Sequence, residues 1–402
     1  MQFFKWLYPG LGIKRWIGMI LLGLGVIVSV ALFAVKTITR TSVFLGAFAT
    51  ALLIFGIFLV YMGIKNIIRI FIRALMPANQ NNPLVDLVYQ KRQIESLSRG
   101  PRVVAVGGGS GLSALLSGIK LFTNNITAIV TVTDTGGSSG RLRDEMDILP
   151  PGDIRNCLVA LADAEPLIRD LFQYRFEEGD GLTGHSFGNL FITALSKVTG
   201  DFEKAVRASS KVLAIRGRVI PSTLEKVTLV AEFMDGSKME GETNITGQNK
   251  PLRKICLKPA DCAGTGEAID AIENSDLIIL GPGSLYTSIL PNLLINDIRE
   301  AILKSEAYKV LVINIMTQPG ETVDCSAYDH LRVLIEHTDP RLVNVCMVNT
   351  ASVPQGLIEK YKEKGAGIVR LDLDKIREKG YEVLEGNVLK VDGQVRHDPS
   401  AL

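Results

Sequence analysis

Two long apolar stretches without a charged side chain lie near the start of the chain, and shorter apolar runs alternate with polar loops after them. Residues 16–35 and 43–64 are each long enough to cross a hydrocarbon core of about 30 Å as a helix. Only a short turn, KTITRTS, separates them. The pattern predicts two transmembrane helices. A buried soluble hairpin is the alternative, and a cleaved signal peptide fits poorly because the first stretch is too long.

Basic residues around the two stretches predict how the hairpin lies in the membrane. Three Lys or Arg precede the first stretch, two lie in the turn, and six follow the second stretch before residue 100. Because cytoplasmic loops carry an excess of Lys and Arg, we expect a cell-membrane protein with two spans and a cytoplasmic main domain. Lys65, Arg69 and Arg73 recur every four residues and predict a basic amphipathic segment, with a plain extension of the second span as the alternative.

After the hairpin, the pattern changes to that of an α/β domain. The run RVVAV at 102–106 leads through a glycine loop to apolar residues at helical spacing, Leu112, Leu115, Leu116 and Ile119. Further buried strands are predicted at 127–133, 276–280, 309–315 and 342–348. Strands that alternate with helices predict a Rossmann-like, doubly wound, mainly parallel sheet. An Asp-Gly turn between alternating runs predicts an inserted β-hairpin at about 227–246.

These patterns divide the chain into three parts that differ in charge. We assign residues 1–76 to the hairpin and basic segment, 77–100 to a linker, and 101–402 to the α/β domain. The first hundred residues contain eleven Lys or Arg and two acids, whereas residues 101–402 contain 33 basic and 40 acidic residues. An acidic domain argues against nucleic-acid binding. The five Cys are scattered without a C-x-x-C motif, which argues against a disulfide framework and a zinc site.

The first candidate ligand site is the loop GGGSG at 107–111, between the first predicted strand and its helix. Glycines let the backbone approach a phosphate, and the helix N-terminus supplies free N–H groups. No Lys-Ser/Thr pair follows, so the loop is not a Walker loop, and Leu112 replaces the third glycine of the dinucleotide fingerprint. We therefore favour nucleotide or phosphate binding over a structural turn, and regard an NAD-dependent oxidoreductase as a minor alternative.

Two further loops carry groups that suit an anion. In DTGGSSGR at 134–141, Asp134 ends the second predicted strand, and Arg141 can pair with a phosphate. In PPGDIRN at 150–156, Asp153 and Asn156 lie at a helix start, although capping of that helix would by itself explain Asp153.

The last two segments lie in the second half of the predicted site. In GHSFGN at 184–189, Ser186 is a predicted N-cap of a helix that has Phe187, Leu190, Phe191, Ala194 and Leu195 on one face. The adjacent Ser and His give no triad geometry, so we reject a hydrolase. GPGSLYTS at 281–288 follows an uncharged strand end and suits a second phosphate or a sugar. The candidate residues are Gly107, Gly108, Gly109, Ser110, Gly111, Asp134, Gly136, Gly137, Ser138, Arg141, Asp153, Asn156, His185, Ser186, Asn189, Gly281, Gly283, Ser284, Tyr286, Thr287 and Asn314.

Five motifs in this order resemble the bacterial gluconeogenesis-factor family (YvcK-like), a branch of the CofD-like superfamily. They are VAVGGGSGLSALL, TVTDTGGSSGRLRDE, LPPGDIRNCLVALAD, GHSFGNL and GPGSLYTSILPNLL, and the resemblance covers about residues 101–398. It implies a Rossmann-type domain that binds a UDP-sugar, notably UDP-N-acetylglucosamine. It also implies a regulator of cell shape and envelope synthesis on gluconeogenic carbon sources, with no catalytic residue.

The resemblance also adds a residue and an alternative. Arg396, in Arg396-His397-Asp398, matches the family's terminal Arg-His-Asp, which is tied there to UDP-sugar binding. The sister branch, 2-phospho-lactate transferase, implies an enzyme that uses Mg²⁺, but Thr135 stands where the family commonly has a second Asp or Asn. We expect no resident metal site or cofactor beyond the UDP-sugar and an optional Mg²⁺. The expected partners are the membrane, cell-wall synthesis proteins and further copies of the chain.

Overall fold

The computed structural model describes residues 13–36, 43–75 and 97–402. The chain forms two compact units, Met1–Gln93 and Ile94–Leu402. The turn at 37–42 and most of the linker predicted at 77–100 lie outside the described residues.

The first unit contains two helices, α1 (Ile13–Lys36) and α2 (Val43–Leu75), which pack side by side. Gly23 of α1 faces Gly56 of α2, where an added Cβ would lie 2.7 Å from the Gly56 carbonyl oxygen. Small residues at such positions let two apolar helices approach closely.

The outer surface of this helix pair is apolar. The side chains of Leu21 and Phe48 are 64% and 66% exposed. A soluble helix of this kind would bury its apolar face. By length and composition, both helices meet what a membrane span requires, a criterion that a signal sequence near the N-terminus also meets.

The second unit is an α/β domain. Its strands are β1 (Val103–Gly107), β2 (Ile126–Val130), β3 (Arg218–Pro221), β4 (Thr228–Phe233), β5 (Lys238–Glu240), β6 (Leu252–Lys258), β7 (Leu277–Leu280), β8 (Tyr308–Val312), β9 (Val345–Asn349), β10 (Glu382–Gly386), β11 (Leu389–Val391) and β12 (Val395–His397). Its helices are α3 (Gly109–Ile119), α4 (Gly137–Met146), α5 (Gly152–Leu161), α6 (Pro166–Gln173), α7 (Phe187–Thr199), α8 (Phe202–Val212), α9 (Glu242–Gly247), α10 (Gly266–Glu273), α11 (Leu290–Leu293), α12 (Asn296–Lys304), α13 (Ala327–His337), α14 (Gln355–Lys362) and α15 (Leu373–Glu378). A π-helical turn covers Leu285–Ile289, and a 3-10 turn covers Pro340–Leu342.

Seven strands form the main sheet in the order β10-β9-β8-β7-β1-β2-β3, and every neighbouring pair is parallel. From the inner strand β1, the chain adds β2 and β3 on one side, and later adds β7 to β10 on the other. The strand order therefore reverses between β1 and β7. Both β1 and β2 are buried along their whole length, as expected of inner strands covered on both faces.

The predicted doubly wound sheet is confirmed, with β1, β2, β7, β8 and β9 within a few residues of their predicted bounds. The predicted hairpin is also confirmed: β4 and β5 pair antiparallel, and β6 joins them as a third strand in the order β5-β4-β6. The pattern missed β3 and β10. Both lie at the edges of the sheet, and β10 exposes much of its length, so neither has the continuous apolar run of an inner strand.

Candidate functional site

A crevice opens at the carboxyl ends of β1 and β7, where the strand order reverses. The loop after β1 and the loop after β7 touch there. A Cβ on Gly111 would lie 2.5 Å from the Pro282 carbonyl oxygen and 3.0 Å from the Gly283 Cα, so a side chain would force the two loops apart. Open α/β sheets bind their ligands at this kind of switch point.

The crevice has a volume of about 380 Å³. Ten of the residues predicted from the sequence lie on its wall. These are Gly108, Gly109, Ser110, Gly111, Asp134, Asp153, Gly283, Ser284, Asn314 and Arg396. A larger groove of about 1030 Å³ lies beside it and is lined by the predicted Asn156. The two cavities share Ser110, Ala114, Arg396 and His397.

The loop after β8 fixes the loop after β7. Asn314 donates from Nδ2 to the Gly283 carbonyl oxygen (2.8 Å) and accepts the Gly283 N–H at Oδ1 (3.3 Å). Gln318 donates from Nε2 to the Ser284 hydroxyl (2.6 Å). Both ends of the Asn314 amide are thus engaged with backbone, which makes this residue part of the crevice wall.

A buried carboxyl group supports the π-helical turn that follows. Glu321 accepts a hydrogen bond from Thr287 Oγ1 (3.0 Å) and another from the Tyr286 N–H (3.3 Å). Burial raises the pKa of Glu321 to about 7, although these hydrogen bonds oppose the shift. The turn places Ser284 and Ser288 on the crevice wall.

Three carboxyl groups line the crevice itself: Asp134, Asp153 and Glu242. Burial, and then the charge of Asp134, raise the pKa of Asp153 to about 6. Burial, and then Asp134 and Asp153, raise the pKa of Glu242 to about 8. At neutral pH, protonation of Glu242 therefore reduces the negative charge that an anionic ligand would meet.

Capping does not explain Asp153. Pro151 is the N-cap of α5, with no side-chain hydrogen bond, so the capping alternative is wrong. The Asp153 carboxylate instead accepts the N–H of Gly109 at the start of α3. The Gly109 N–H is one of the helix N-terminal donors that we predicted from the sequence to bind a phosphate, and in the structure Asp153 occupies it.

The C-terminal hairpin of β11 and β12 lies against the end of the main sheet. The N–H of Val395 donates to the Tyr361 hydroxyl (3.1 Å), and His397 Nε2 lies 3.3 Å from the Ile313 carbonyl oxygen. Burial lowers the pKa of His397 to about 4, so its ring is neutral at physiological pH.

The residues after β12 pack on α3. An added Cβ on Gly118 would lie 1.7 Å from the Pro399 carbonyl oxygen, which shows how close the tail runs to this helix. Between these attachments, Arg396 is exposed and lines both the crevice and the groove. The fold thus brings a residue from the end of the chain to the first glycine loop.

Eleven predicted residues line neither the crevice nor the groove. They are Gly107, Gly136, Gly137, Ser138, Arg141, His185, Ser186, Asn189, Gly281, Tyr286 and Thr287. Tyr286 faces inward, with its ring 5.9 Å from that of His337, and burial raises the pKa of its hydroxyl well above the usual range. A ligand role for these residues stays a prediction.

Three of these eleven form a buried polar network behind the crevice. Ser138 Oγ lies 2.9 Å from His185 Nδ1 and accepts a hydrogen bond from Asn189 Nδ2 (3.0 Å). The predicted N-cap at Ser186 is confirmed, since its hydroxyl accepts the Asn189 N–H (3.3 Å). Burial lowers the pKa of His185, and Arg141 lowers it further.

The predicted apolar face of α7 is only partly buried, with Phe187 and Phe191 packed against the core. The buried residues of this helix are Gly188, Asn189, Ile192, Thr193 and Ser196. Asn189 is buried because it bonds to Ser138 of α4, and the apolar residues that the pattern favoured are at most partly buried. Local hydrophobicity could not reveal this, because the partner of Asn189 lies 51 residues away.

The sequence analysis missed two kinds of crevice residue. Glu242 comes from α9, beside the small antiparallel sheet, and nothing near it in the sequence marks a ligand site. Ile315, Met316 and Val395 supply apolar wall. A polar motif search cannot find them, although their place beside Asn314 and Arg396 in the chain was a usable signal.

The related transferases imply a divalent metal, so the carboxyl groups can be tested for one. Within residues 13–36, 43–75 and 97–402, no group of three or more His, Cys, Asp or Glu is arranged to hold a metal ion. Mg²⁺ also binds through one or two carboxylates together with substrate phosphates. Asp134 and Asp153 fit that second kind of site.

Comparison with known proteins finds relatives of the α/β domain and of the full chain. Residues 103–389 match the family model described as 2-phospho-L-lactate transferase CofD. A putative gluconeogenesis factor from Clostridium acetobutylicum is 44% identical over 412 residues, which is 99% of this chain and 90% of that protein. One from Nostoc is 46% identical over 421 residues, covering 100% and 91% of the two chains. These two alignments include the N-terminal helices.

Other relatives match the α/β domain alone. The gluconeogenesis factor of Bacillus subtilis is 46% identical over 303 residues, covering 75% of this chain and 96% of that protein. A crystal structure of a UPF0052-family protein from Bacillus halodurans superimposes with a TM-score of 0.73 at 44% identity. It covers 75% of this chain and 97% of that one.

Proposed function

The chain belongs to the CofD-like family and, within it, to the gluconeogenesis factors, and from this premise we propose that it is a membrane-anchored protein that binds a UDP-sugar. UDP-N-acetylglucosamine is the proposed ligand. Its binding would regulate cell shape and envelope synthesis during growth on gluconeogenic carbon sources.

The position of Arg396 is the observation that carries this proposal. The guanidinium lines the crevice at the switch point, together with the glycine loop at the start of α3. A guanidinium can pair with a diphosphate through two parallel hydrogen bonds, and helix N-termini favour anions. An anion at the junction of the crevice and the groove would meet both groups.

A regulator fits this site better than a catalyst does. The hydrogen-bonded pair of Ser138 and His185 is buried behind the crevice and lines neither cavity. The polar groups around the crevice mostly bond to one another and hold its shape, as Asn314 and Gln318 do. Such a rigid wall suits selective binding.

Membrane anchoring is part of the same proposal. Two apolar helices with exposed large side chains suit a hydrocarbon environment, and relatives align through them. The proposed topology has two spans and a cytoplasmic α/β domain. After an alkaline wash, the full chain is expected to stay with membranes; its complete release would refute the anchor.

The test of ligand binding is calorimetry on the full chain in detergent micelles. UDP-N-acetylglucosamine, UDP-glucose, UMP and NAD would be titrated with and without Mg²⁺. We expect saturable binding of a UDP-sugar without its consumption, and weakening of about tenfold or more in Arg396→Met. Arg218→Met is the matched control, because Arg218 lies at the amino end of β3. Absence of UDP-sugar binding would refute the proposal.

A transferase is the second candidate, and the carboxyl groups beside the glycine loop are the observation that favours it. Asp134 and Asp153 would hold Mg²⁺, which would supply charge neutralisation at a ligand phosphate. Loss of the UDP-sugar during incubation with Mg²⁺ and a flavin-type acceptor would favour this candidate. Homo-oligomerisation and contact with cell-wall synthesis proteins also belong to the proposal.

A further inference from the structure

The groove beside the crevice differs from it in length and in charge. It follows one face of α3, along Ser110, Ser113, Ser117 and Lys120. Ten residues of helix span about 15 Å, so Lys120 lies far from the glycine loop. The groove is at the large end of the range of about 300–1,000 Å³ that is typical of small-molecule sites. It therefore has room for a ligand that does not enter the crevice.

Four cations line this groove: Lys120 at the far end, Arg169 from α6, Lys390 from the C-terminal hairpin, and Arg396 at the junction with the crevice. The acids on its wall are Asp170 and Asp392. Among the described residues, no ion pair includes any of these six side chains. The wall thus carries four cations against two acids, with Asp163 near Lys120 and Asp398 near Lys390 outside it.

The surroundings of Lys120 are those of a ligand-binding cation. Its ammonium donates to the Ala162 carbonyl oxygen (3.0 Å), which fixes its position. Burial lowers the pKa of Lys120; Asp163 opposes this shift, whereas Arg169 and Arg216 add to it. Asp163 is itself paired with Arg216. A half-buried ammonium close to another cation gains from an anionic ligand between them.

We propose that the groove is a second anion site, which binds a phosphate-bearing small molecule while the nucleotide sugar occupies the crevice. The floor of α3 is made of small residues, so a ligand can lie close to the helix. Lys120 and Arg169 would hold the phosphate at the far end, and Lys390 would cover it from the hairpin. The two ligands would then be neighbours on either side of Arg396, and each would bind in the presence of the other.

The test is calorimetry with inorganic pyrophosphate on the full chain in detergent micelles, alone and with saturating UDP-N-acetylglucosamine. We expect pyrophosphate to bind in both cases, with affinities that differ less than about threefold. Lys120→Met and Arg169→Met should each weaken pyrophosphate binding by about tenfold, because each removes a charged hydrogen bond. Lys120→Arg should keep most of the affinity, and Lys197→Met, an exposed lysine in the last turn of α7, should keep all of it.

Three results would overturn the proposal. They are failure of pyrophosphate to bind, unchanged affinity in the two Met variants, and full displacement of pyrophosphate by UDP-N-acetylglucosamine. Full displacement would assign the groove to the diphosphate of the nucleotide itself. Lys390→Met should also weaken pyrophosphate binding. Because Lys390 lies on an exposed hairpin, this loss could not be attributed to misfolding of the domain. If UDP-sugars do not bind but pyrophosphate does, and the Met variants weaken it, the proposed function fails while this site stands.

Discussion

The crevice and the groove share Ser110, Ala114, Arg396 and His397, but their other lining residues differ in charge and in the elements that supply them. The crevice lies between strand ends, is shaped by glycine backbone, and carries Asp134, Asp153 and Glu242. The groove lies between helices and the C-terminal hairpin and carries four cations. Two adjacent cavities of opposite charge in one fold would select different parts of a ligand, or different ligands.

The difference also shows how each cavity depends on the rest of the molecule. The crevice is fixed by contacts between loops of the main sheet, such as Gly111 against Pro282 and Asn314 against Gly283. The groove has one wall that belongs to the last fifteen residues of the chain. A change at the contact between Gly111 and Pro282 should therefore alter ligand binding in the crevice alone. A change in the C-terminal tail should alter ligand binding in the crevice and in the groove.

The largest effect is expected from Gly111→Ala. The added methyl would lie 2.5 Å from the Pro282 carbonyl oxygen, which is backbone and cannot swing aside. We expect a loss of roughly 1–3 kcal/mol of unfolding free energy, as in other overpacked sites, and a loss of UDP-sugar affinity of more than tenfold. Thermal unfolding and calorimetry measure both.

Gly356→Ala is the matched control for that change. Gly356 also lies in a helix, but no atom lies within 4 Å of its added methyl. Alanine there should stabilise the protein by up to about 1 kcal/mol and leave binding unchanged. If Gly111→Ala behaves like Gly356→Ala, the two loops are not in the contact that defines the crevice. If it also weakens pyrophosphate binding as much as nucleotide binding, the two cavities are not independent.

How much of this could be predicted depends on whether a feature is local in the chain. The strands β1 and β2 were predictable because inner parallel strands are continuous apolar runs, and the glycine loop was predictable because it directly follows one of them. The edge strands β3 and β10 were not, because they lack such runs. The family resemblance supplied Arg396, which no local pattern indicated.

The candidate site divides in the same way. The sequence located the loops at the strand ends but could not say which side chains point into the crevice. Tyr286 turns into the core and Ser138 turns towards His185, and both directions depend on residues about fifty positions away. Lys120 drew no attention because it lies at the end of α3 remote from the motif. Its partners Arg169 and Lys390 come from other elements.

A second prediction concerns how the buried carboxyl groups in and near the crevice make the stability of the protein depend on pH. Burial raises the pKa values of Asp153, Glu321 and Glu242 to about 6, 7 and 8, against about 4 in an unfolded chain. Because the folded protein holds these protons more tightly, the stabilisation is complete below about pH 4 and is lost as pH rises through the folded pKa values. We expect the melting temperature to fall by several degrees between pH 5.5 and 8.5.

Glu242→Gln tests the origin of that fall, since the glutamine stays neutral at every pH. The variant should lose less melting temperature than the wild type over the same range, with a difference that grows from pH 5.5 to about pH 8 and then levels off. Glu378→Gln, on an exposed helix, is the control and should follow the wild type. The exposed Asp276 does not contribute to the fall in melting temperature over this pH range, because Arg102 holds its pKa at about 2. If the melting temperatures of Glu242→Gln and Glu378→Gln fall equally over this pH range, the buried carboxyl groups do not cause the pH dependence.

The smallest change in stability is expected from Gly118→Ala, yet it should affect both cavities. Its methyl would overlap the Pro399 carbonyl oxygen, so the tail must move away from α3. Because Asp398, Pro399 and Ser400 are partly buried or exposed, the tail can move at little cost, and the melting temperature should change little. Movement of the tail would displace Arg396 and Lys390 together, so affinities for UDP-N-acetylglucosamine and for pyrophosphate should both fall several-fold. Gly111→Ala, seven residues earlier on the same helix, should lower only the first. If Gly118→Ala leaves both affinities unchanged, the contact of the tail with α3 does not position Arg396. The two cavities would then be adjacent without depending on a common structural element.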